Sequence, residues 1–250
     1  MSVLGGKFAL KSLWKSPFIS ADDKRFVTMH IAIILPRWVG DLVMTTPMVR
    51  AVRQHYGRNA KLTAVVKPLF KDLLAGTEWF DQFITYDRHG KNPESGFQRA
   101  AAKLSADRPD IALLVPNSLS SAALAWWGGC KKRVGYARHG RRFLLTDPLI
   151  PVRHGWQVVP MSTAQHSMDL AERVGVPRQP LKLELATLPE DESTLDLLID
   201  RFFEGWAGGE TRPLFVFNDN SAFGPARSWG EKKFTSLARE LLESHPDGRI

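Results

Sequence analysis

A single carboxylate follows the first strongly apolar run of the chain. Residues 31–35 are all apolar and mostly β-branched, which predicts a strand covered on both faces, as in a parallel sheet. Gly40 is expected to let the backbone turn tightly beyond that strand. Because open α/β sheets bind ligands outside the carboxyl ends of their strands, Asp41 then lies at the mouth of a ligand crevice. The residues alone leave a plainer alternative open, in which Asp41 only caps the next helix.

A strongly basic segment occupies residues 131–142, with one aromatic residue and two glycines among the cations. Its arginines are Arg133, Arg138, Arg141 and Arg142. Clusters of this kind bind phosphate or carboxylate groups, and arginine can do so through two parallel hydrogen bonds. A solvated loop is the alternative for any charge run. Nucleic acid is less favoured, because no helix-turn-helix, RRM or KH signature is present.

A second possible anion site lies near the other end of the sequence. Residues 213–218 are predicted to form a strand and residues 229–243 a helix, and the loop between them contains Arg227. Backbone N–H groups at the start of a helix, together with an arginine, suit a diphosphate. An ordinary strand-to-helix loop is the alternative.

Several common kinds of catalytic site are disfavoured by missing motifs. The seven histidines show no metal-ligand spacing, and no Asp-x-Asp pair is present to hold a divalent ion beside a nucleotide. The chain also lacks the Gly-x-Ser-x-Gly turn of serine hydrolases. Neither a Gly-x-Gly-x-x-Gly nor a Walker A loop follows the first strand. We therefore predict no cofactor and no metal.

Composition indicates a globular protein that meets acidic partners. Of the 250 residues 44% are hydrophobic, which is enough for a core. The net charge of +8 and the pI of about 9.7 favour phosphates, carboxylates or anionic lipids. Cys130 is the single cysteine, which excludes an internal disulfide. No apolar run reaches the roughly 18 residues that span a bilayer, and residues 1–20 do not resemble a signal peptide. We therefore expect a cytoplasmic location, peripheral to a membrane.

Buried strands alternate with helices along residues 29–189. This order predicts an α/β fold with a doubly wound parallel sheet. One helix is expected to begin at Thr46 and Pro47, an N-cap residue followed by proline in the first turn. Residues 190–250 read as a linker helix and the beginning of a second α/β domain. Residues 1–28 are predicted to be a disordered basic extension, with an amphipathic membrane-surface helix as the alternative.

Four groups of short segments carry a family resemblance. They are residues 38–43, residues 116–118 with 124–126, residues 133–138 with 144–147, and residues 223–229. Each segment alone is a weak signal, but the ordered set is specific. Together they resemble the ADP-heptose:lipopolysaccharide heptosyltransferases of glycosyltransferase family nine, especially the heptosyltransferase II branch.

The resemblance implies a fold of GT-B type, in which two Rossmann-like domains face each other across a cleft. It implies that residues 29–189 bind the acceptor, a Kdo-bearing lipid A inner core, at the inner face of the inner membrane. Residues 190–250 would begin the domain that binds ADP-heptose. The family inverts the anomeric carbon and needs no metal. Asp41 matches its catalytic base, which takes the proton of the acceptor hydroxyl.

One further site residue is implied by this resemblance, and others are added as a hypothesis that the family does not fix residue by residue. Arg227 stands where the family usually has a lysine that meets the donor phosphates, and arginine keeps the charge but changes the geometry. By hypothesis, the acidic acceptor is bound by Gly40, Arg133, Arg138, Arg141 and Arg142.

The family pattern continues through more strands than this sequence contains. We therefore expect a truncated chain that binds ADP-heptose poorly. Two alternatives stay open: a non-catalytic remnant that binds an anionic glycolipid, and a related glycosyltransferase with another donor.

Overall fold

A computed structural model describes residues 29–203, 213–218 and 228–250. Contacts within these ranges divide the chain into two units. Unit 1 comprises the described residues up to 74 together with residues 78–185, and unit 2 comprises residues 75–77 and the described residues from 186 onward. The predicted extension at residues 1–28 and the predicted anion site at Arg227 lie outside the described residues. Which substrate each unit binds stays a prediction.

Unit 1 is built on a six-stranded parallel sheet. Its strands are β1 (Met29–Ile34), β2 (Ala60–Val66), β3 (Gln82–Thr85), β4 (Ile111–Leu114), β5 (Lys132–Tyr136) and β6 (Asp147–Leu149), in the spatial order β3-β2-β1-β4-β5-β6. The predicted α/β fold with a parallel sheet is confirmed. The chain runs outward from β1 to β3 and then returns to place β4 on the other side of β1. In sheets of this order, ligands bind outside the carboxyl ends of the strands at that reversal.

Helices cover both faces of the sheet. α1 (Val39–Tyr56), α2 (Pro68–Ala75) and α5 (Thr163–Glu172) pack on one face, and α3 (Phe97–Asp107) and α4 (Leu119–Trp127) pack on the other. Alternate residues of a strand point to opposite faces. Ile31 and Ile33 therefore join one apolar cluster, while Ala32 and Ile34 join the other. All four are at most 2% exposed, as expected for a strand covered on both sides.

Helix α1 begins at Val39, so the predicted start at Thr46 was wrong. Pro47 lies inside the helix and has no N–H to bond the carbonyl four residues earlier, which is that of Val43. The Thr46 hydroxyl supplies the missing donor at 2.8 Å from Val43 O, and it accepts the Glu184 N–H at 3.1 Å. The Thr-Pro pair thus lies within a continuous helix instead of starting one.

An antiparallel hairpin connects β6 to α5. It consists of β7 (Arg153–His154) and β8 (Gln157–Val158), and Gly155 at its turn has a φ of 60°, a conformation that glycine adopts without strain. Sequence patterns missed β6 and this hairpin, because strands of two or three residues are too short to show a hydrophobic period.

Unit 2 contains two described helices, α6 (Pro189–Phe202) and α7 (Glu231–Ser244). Both were predicted, with ends a few residues different. The strand predicted at residues 213–218 is reduced to one parallel bridge between Leu214 and Arg249. None of the described helices is long and apolar enough to cross a membrane.

Candidate functional site

Asp41 lies in the first turn of α1, whose N-cap residue is Trp38. The alternative in which Asp41 is the N-cap was therefore wrong. A carboxylate in the first turn still interacts favourably with the positive end of the helix dipole. Asp41 thus contributes to the helix, but its side chain is not needed to cap it.

Helix α5 orients the Asp41 carboxylate. Thr163, the first residue of α5, donates its hydroxyl to Oδ1 of Asp41 at 3.1 Å. Within the part of the chain that the structure describes, Oδ2 accepts no hydrogen bond, and the side chain is half-buried. One oxygen is therefore fixed by the fold and the other is open to a ligand, an arrangement that suits a proton acceptor.

Gly40 lies in α1 beside Asp41 and not in a turn, so its predicted turn role was wrong. A Cβ at this position would meet no atom within 4 Å. The surface next to the carboxylate is consequently open, and the missing side chain lets a ligand approach the backbone closely.

Arg141 lies in the protein interior, with none of its surface exposed. Its guanidinium donates to the Tyr136 carbonyl at 2.9 Å, the Ser121 hydroxyl at 2.9 Å and Asn117 Oδ1 at 3.0 Å, and also to the Pro116 carbonyl. Burial lowers the pKa of Arg141 to about 10, which leaves it charged at neutral pH. Because its donors hold the loops after β4 and β5, we no longer assign Arg141 to the acceptor.

The other three arginines of the basic segment differ in their surroundings. Arg133 donates to the carbonyls of Leu144 and Cys130, both at 2.7 Å, so it too connects parts of the fold. Arg138 is half-buried and lines a cavity of about 330 Å³ beneath the hairpin. Arg142 is exposed. Arg133 is half-buried like Arg138, but its guanidinium is used within the fold, so Arg138 and Arg142 are the better candidates for the acceptor.

Asn117 extends the Arg141 network to α5. Because its Oδ1 accepts from Arg141, its Nδ2 donates to His166 Nε2 at 3.3 Å. The His166 ring stacks on Tyr136 with 4.1 Å between centroids, and the Tyr136 hydroxyl donates to Asp169 at 2.5 Å. Burial, together with Arg141, lowers the pKa of His166 to about 4. His166 is therefore neutral at pH 7 and can accept from Asn117.

A cavity of about 120 Å³ opens at the carboxyl ends of β1, β2, β3 and β4. Arg37, Lys67 and Arg88 line it, each within a few residues of the end of a different strand. One carboxylate, Asp87, also lines it and lies 3.9 Å from Lys67. We call this cavity the cationic cleft. Asp41 does not line the cleft. The loop that follows β1 carries Arg37 of the cleft and leads into α1, where Asp41 lies.

The cations of the cleft were missed by the sequence hypothesis. The signal was present, because parallel strands end at the same edge of a sheet, so residues that follow different predicted strands come together. Each of these cations is isolated in the sequence, however, whereas the basic segment is recognisable because its cations follow one another closely.

Comparison with known proteins identifies the family. Residues 97–245, well over half of the chain, match the family model of glycosyltransferase family 9 (heptosyltransferase). The chain belongs to glycosyltransferase family 9. The resemblance inferred from the sequence is confirmed.

Curated relatives of this family 9 chain include two heptosyltransferases. Lipopolysaccharide heptosyltransferase 2 of Salmonella typhimurium is 26% identical over 221 residues, covering 86% of this chain and 60% of the relative. Lipooligosaccharide heptosyltransferase 2 of Haemophilus ducreyi is 26% identical over 217 residues, covering 86% and 61%. The chain thus spans about 60% of the length of the curated relatives it matches.

Solved structures share the fold of the family 9 chain. Escherichia coli ADP-heptose lipopolysaccharide heptosyltransferase II superimposes with a TM-score of 0.64 at 23% identity, covering 87% of this chain and 62% of that one. A glycosyltransferase family 9 protein of Veillonella parvula gives 0.70 at 19% identity, covering 88% and 61%. These likenesses establish the fold, and the predicted α/β architecture of GT-B type is confirmed.

We predict that Arg141→Met destabilises unit 1 by about 3–5 kcal/mol, because it leaves several buried acceptors without a donor. Arg142→Met, one residue away but exposed, should change the free energy of unfolding by less than about 0.5 kcal/mol. Urea unfolding of both variants measures the difference. Equal stability of the two variants would show that the buried network does not support the fold.

We predict that His166 makes unit 1 less stable in mild acid. The pKa of His166 falls from 6.5 to about 4 in the folded protein, so between these values the unfolded state binds the proton more strongly. The free energy of unfolding should therefore decrease as the pH falls from 6.5 toward 4, by up to about 1.4 kcal/mol per pH unit.

Urea unfolding at several pH values tests this, with His166→Gln expected to reduce the slope and the exposed His154→Gln expected to keep it. The same slope in all three proteins would rule out His166 as the titrating group.

Proposed function

We propose that this family 9 chain takes part in the transfer of heptose from ADP-heptose to the inner core of lipopolysaccharide, on Kdo-lipid A or heptosyl-Kdo-lipid A. The family match and the names of the relatives support this donor and acceptor. The observation that carries the proposal is the Asp41 carboxylate, which follows the first strand of the sheet with one oxygen oriented by Thr163 and the other open. The same family match makes a non-catalytic remnant the less favoured alternative.

In the proposed reaction Asp41 acts as the general base. Its free oxygen takes the proton from an acceptor hydroxyl as that hydroxyl oxygen forms a bond to the anomeric carbon. The bond from the anomeric carbon to the diphosphate breaks on the opposite face, so the configuration inverts and the electron pair leaves with ADP. Thr163 acts as a positioning residue, because its hydrogen bond keeps Oδ1 occupied. No metal enters this scheme, and Arg227 remains proposed for the donor phosphates.

We assign the acidic acceptor to unit 1. Kdo carboxylates and lipid A phosphates are the kind of groups that separated cations bind. The cationic cleft offers Arg37, Lys67 and Arg88, and the basic segment adds the accessible Arg138 and Arg142. Such an acceptor is anchored in a membrane, so the proposed place of work is the inner face of the inner membrane.

We predict that Asp41→Asn lowers heptose transfer at least 100-fold, because an amide cannot take the proton of the acceptor hydroxyl. Binding of the acceptor should stay within about threefold, since the side chain keeps its size. Asp72→Asn, on the exposed surface of α2, is the matched control and should transfer at the unmodified rate. The protein is mixed with ADP-heptose and a deacylated inner-core acceptor, and the product is measured by mass spectrometry.

Two outcomes would contradict the proposal. Near-normal transfer by Asp41→Asn would remove the base assignment. Absence of any transfer by the unmodified protein, at an ADP-heptose concentration high enough to offset the weak donor binding expected of this chain, would contradict the catalytic part. Acceptor binding measured by calorimetry would then test the binding part separately.

A further inference from the structure

The hairpin region, defined as residues 150–161, exposes an unusual amount of apolar surface. Its exposed large side chains are Ile150, Val152, Trp156, Val159 and Met161, with exposures of 62%, 62%, 95%, 41% and 42%. Trp156 follows the turn glycine of the hairpin and is almost fully exposed. Five exposed large apolar side chains within twelve residues of a folded domain mark a candidate binding surface.

The surroundings of the hairpin region are cationic. From residue 111 to residue 168 the sequence has seven lysines and arginines and one carboxylate, Asp147. That carboxylate is already paired with Lys132 at 3.0 Å and with Arg173 at 2.6 Å. The next carboxylate along the chain, Asp169, accepts from Tyr136 and is paired with Arg178. The hairpin region itself has no acidic residue, and both residues of β7, one arginine and one histidine, are exposed.

A cation lies directly beside the exposed tryptophan. The Arg153 guanidinium donates to the Trp156 carbonyl at 3.1 Å, which fixes the charge at the same end of the hairpin as the indole. Beneath the hairpin the cavity of about 330 Å³ separates its underside from Tyr136 and His166 of the domain body. Val152, Val159 and Met161 line this cavity together with the buried Pro151, whereas Trp156 does not. The indole of Trp156 is therefore not used to pack the hairpin against the rest of unit 1.

We propose that the hairpin region binds the anionic surface of a lipid bilayer, with Trp156 inserted at the level of the headgroups. Tryptophan favours the membrane interface, because its ring is apolar and its N–H is polar. Exposed arginine next to it is attracted to anionic lipids, whereas a carboxylate would be repelled. The cation thus favours an anionic surface over a neutral apolar protein, and the exposed tryptophan beside it favours the interface of a bilayer.

This inference deepens the proposed function by naming the surface that would bring the site to a membrane-anchored acceptor. The hairpin region runs directly into Ser162, the N-cap of α5, and then into Thr163, whose hydroxyl holds Asp41. Bilayer contact and the candidate base are therefore connected through two residues of chain. Bilayer binding requires neither donor nor transfer, so it can fail or succeed independently of the proposed function.

The test is sedimentation of the whole chain with vesicles of phosphatidylcholine containing 30% phosphatidylglycerol, compared with pure phosphatidylcholine, at 0.1 M salt. We expect binding to the anionic vesicles, a loss of at least tenfold in partitioning for Trp156→Ser, and about a fivefold loss for Arg153→Gln. Leu69→Ser, which removes a 77% exposed leucine from α2, is the matched control and should bind like the unmodified protein.

Tryptophan fluorescence supplies a second measurement, which reports whether Trp156 enters the bilayer even when a variant still binds vesicles. Lipids brominated on the acyl chain should quench part of the emission of the unmodified protein, and Trp156→Phe should lose that part. The proposal is overturned if the unmodified protein does not bind anionic vesicles, or if Trp156→Ser and Leu69→Ser bind equally. Self-association that depends on Trp156, without vesicle binding, would also overturn it and indicate a second copy as the partner.

Discussion

The burial of one guanidinium group constrains much of unit 1. A charged arginine removed from water is tolerated only when its donors are satisfied, and Arg141 meets this condition with acceptors from the loops after β4 and β5. The neighbouring strand is shaped for it, because a Cβ at Gly135 would lie 3.0 Å from an Arg141 nitrogen. Two of the segments that carry the family resemblance, residues 116–118 and 133–138, are thus held together by a single side chain.

This interaction reaches the candidate base in a few steps. Arg141 fixes the orientation of Asn117, and Asn117 donates to His166 on α5. The first residue of α5 is Thr163, which orients the Asp41 carboxylate. An internal hydrogen-bond network therefore adds to the apolar packing of Met168, Leu170 and Ala171 that seats α5. The position of α5 in turn sets how one oxygen of Asp41 is presented. Catalytic geometry of this kind has to be held by surrounding contacts, because small displacements are costly for reaction rates.

Sequence reasoning was sufficient for the architecture and only partly sufficient for the site. Dense apolar runs such as residues 31–35 identify buried strands whatever their partners are. The start of α1 could not be read correctly, because Thr46 and Pro47 imitate a helix start and the compensating hydroxyl contact to Val43 is visible only in three dimensions. Arg141 was grouped with its charged neighbours, because a run of cations usually faces solvent and most of its acceptors lie twenty or more residues away. The cationic cleft likewise depends on strand order, which places residues that are distant in sequence at one edge.

In this proposal the carboxyl edge of the unit 1 sheet receives an acidic acceptor next to Asp41. Hydrogen exchange with mass spectrometry can locate the acceptor by comparing the protein alone with the protein saturated by a deacylated, Kdo-containing inner-core oligosaccharide. We expect slower exchange in residues 35–41, 86–89 and 116–121, with no change in α6 or α7. Protection that spares all three segments, or that falls only in unit 2, would contradict it.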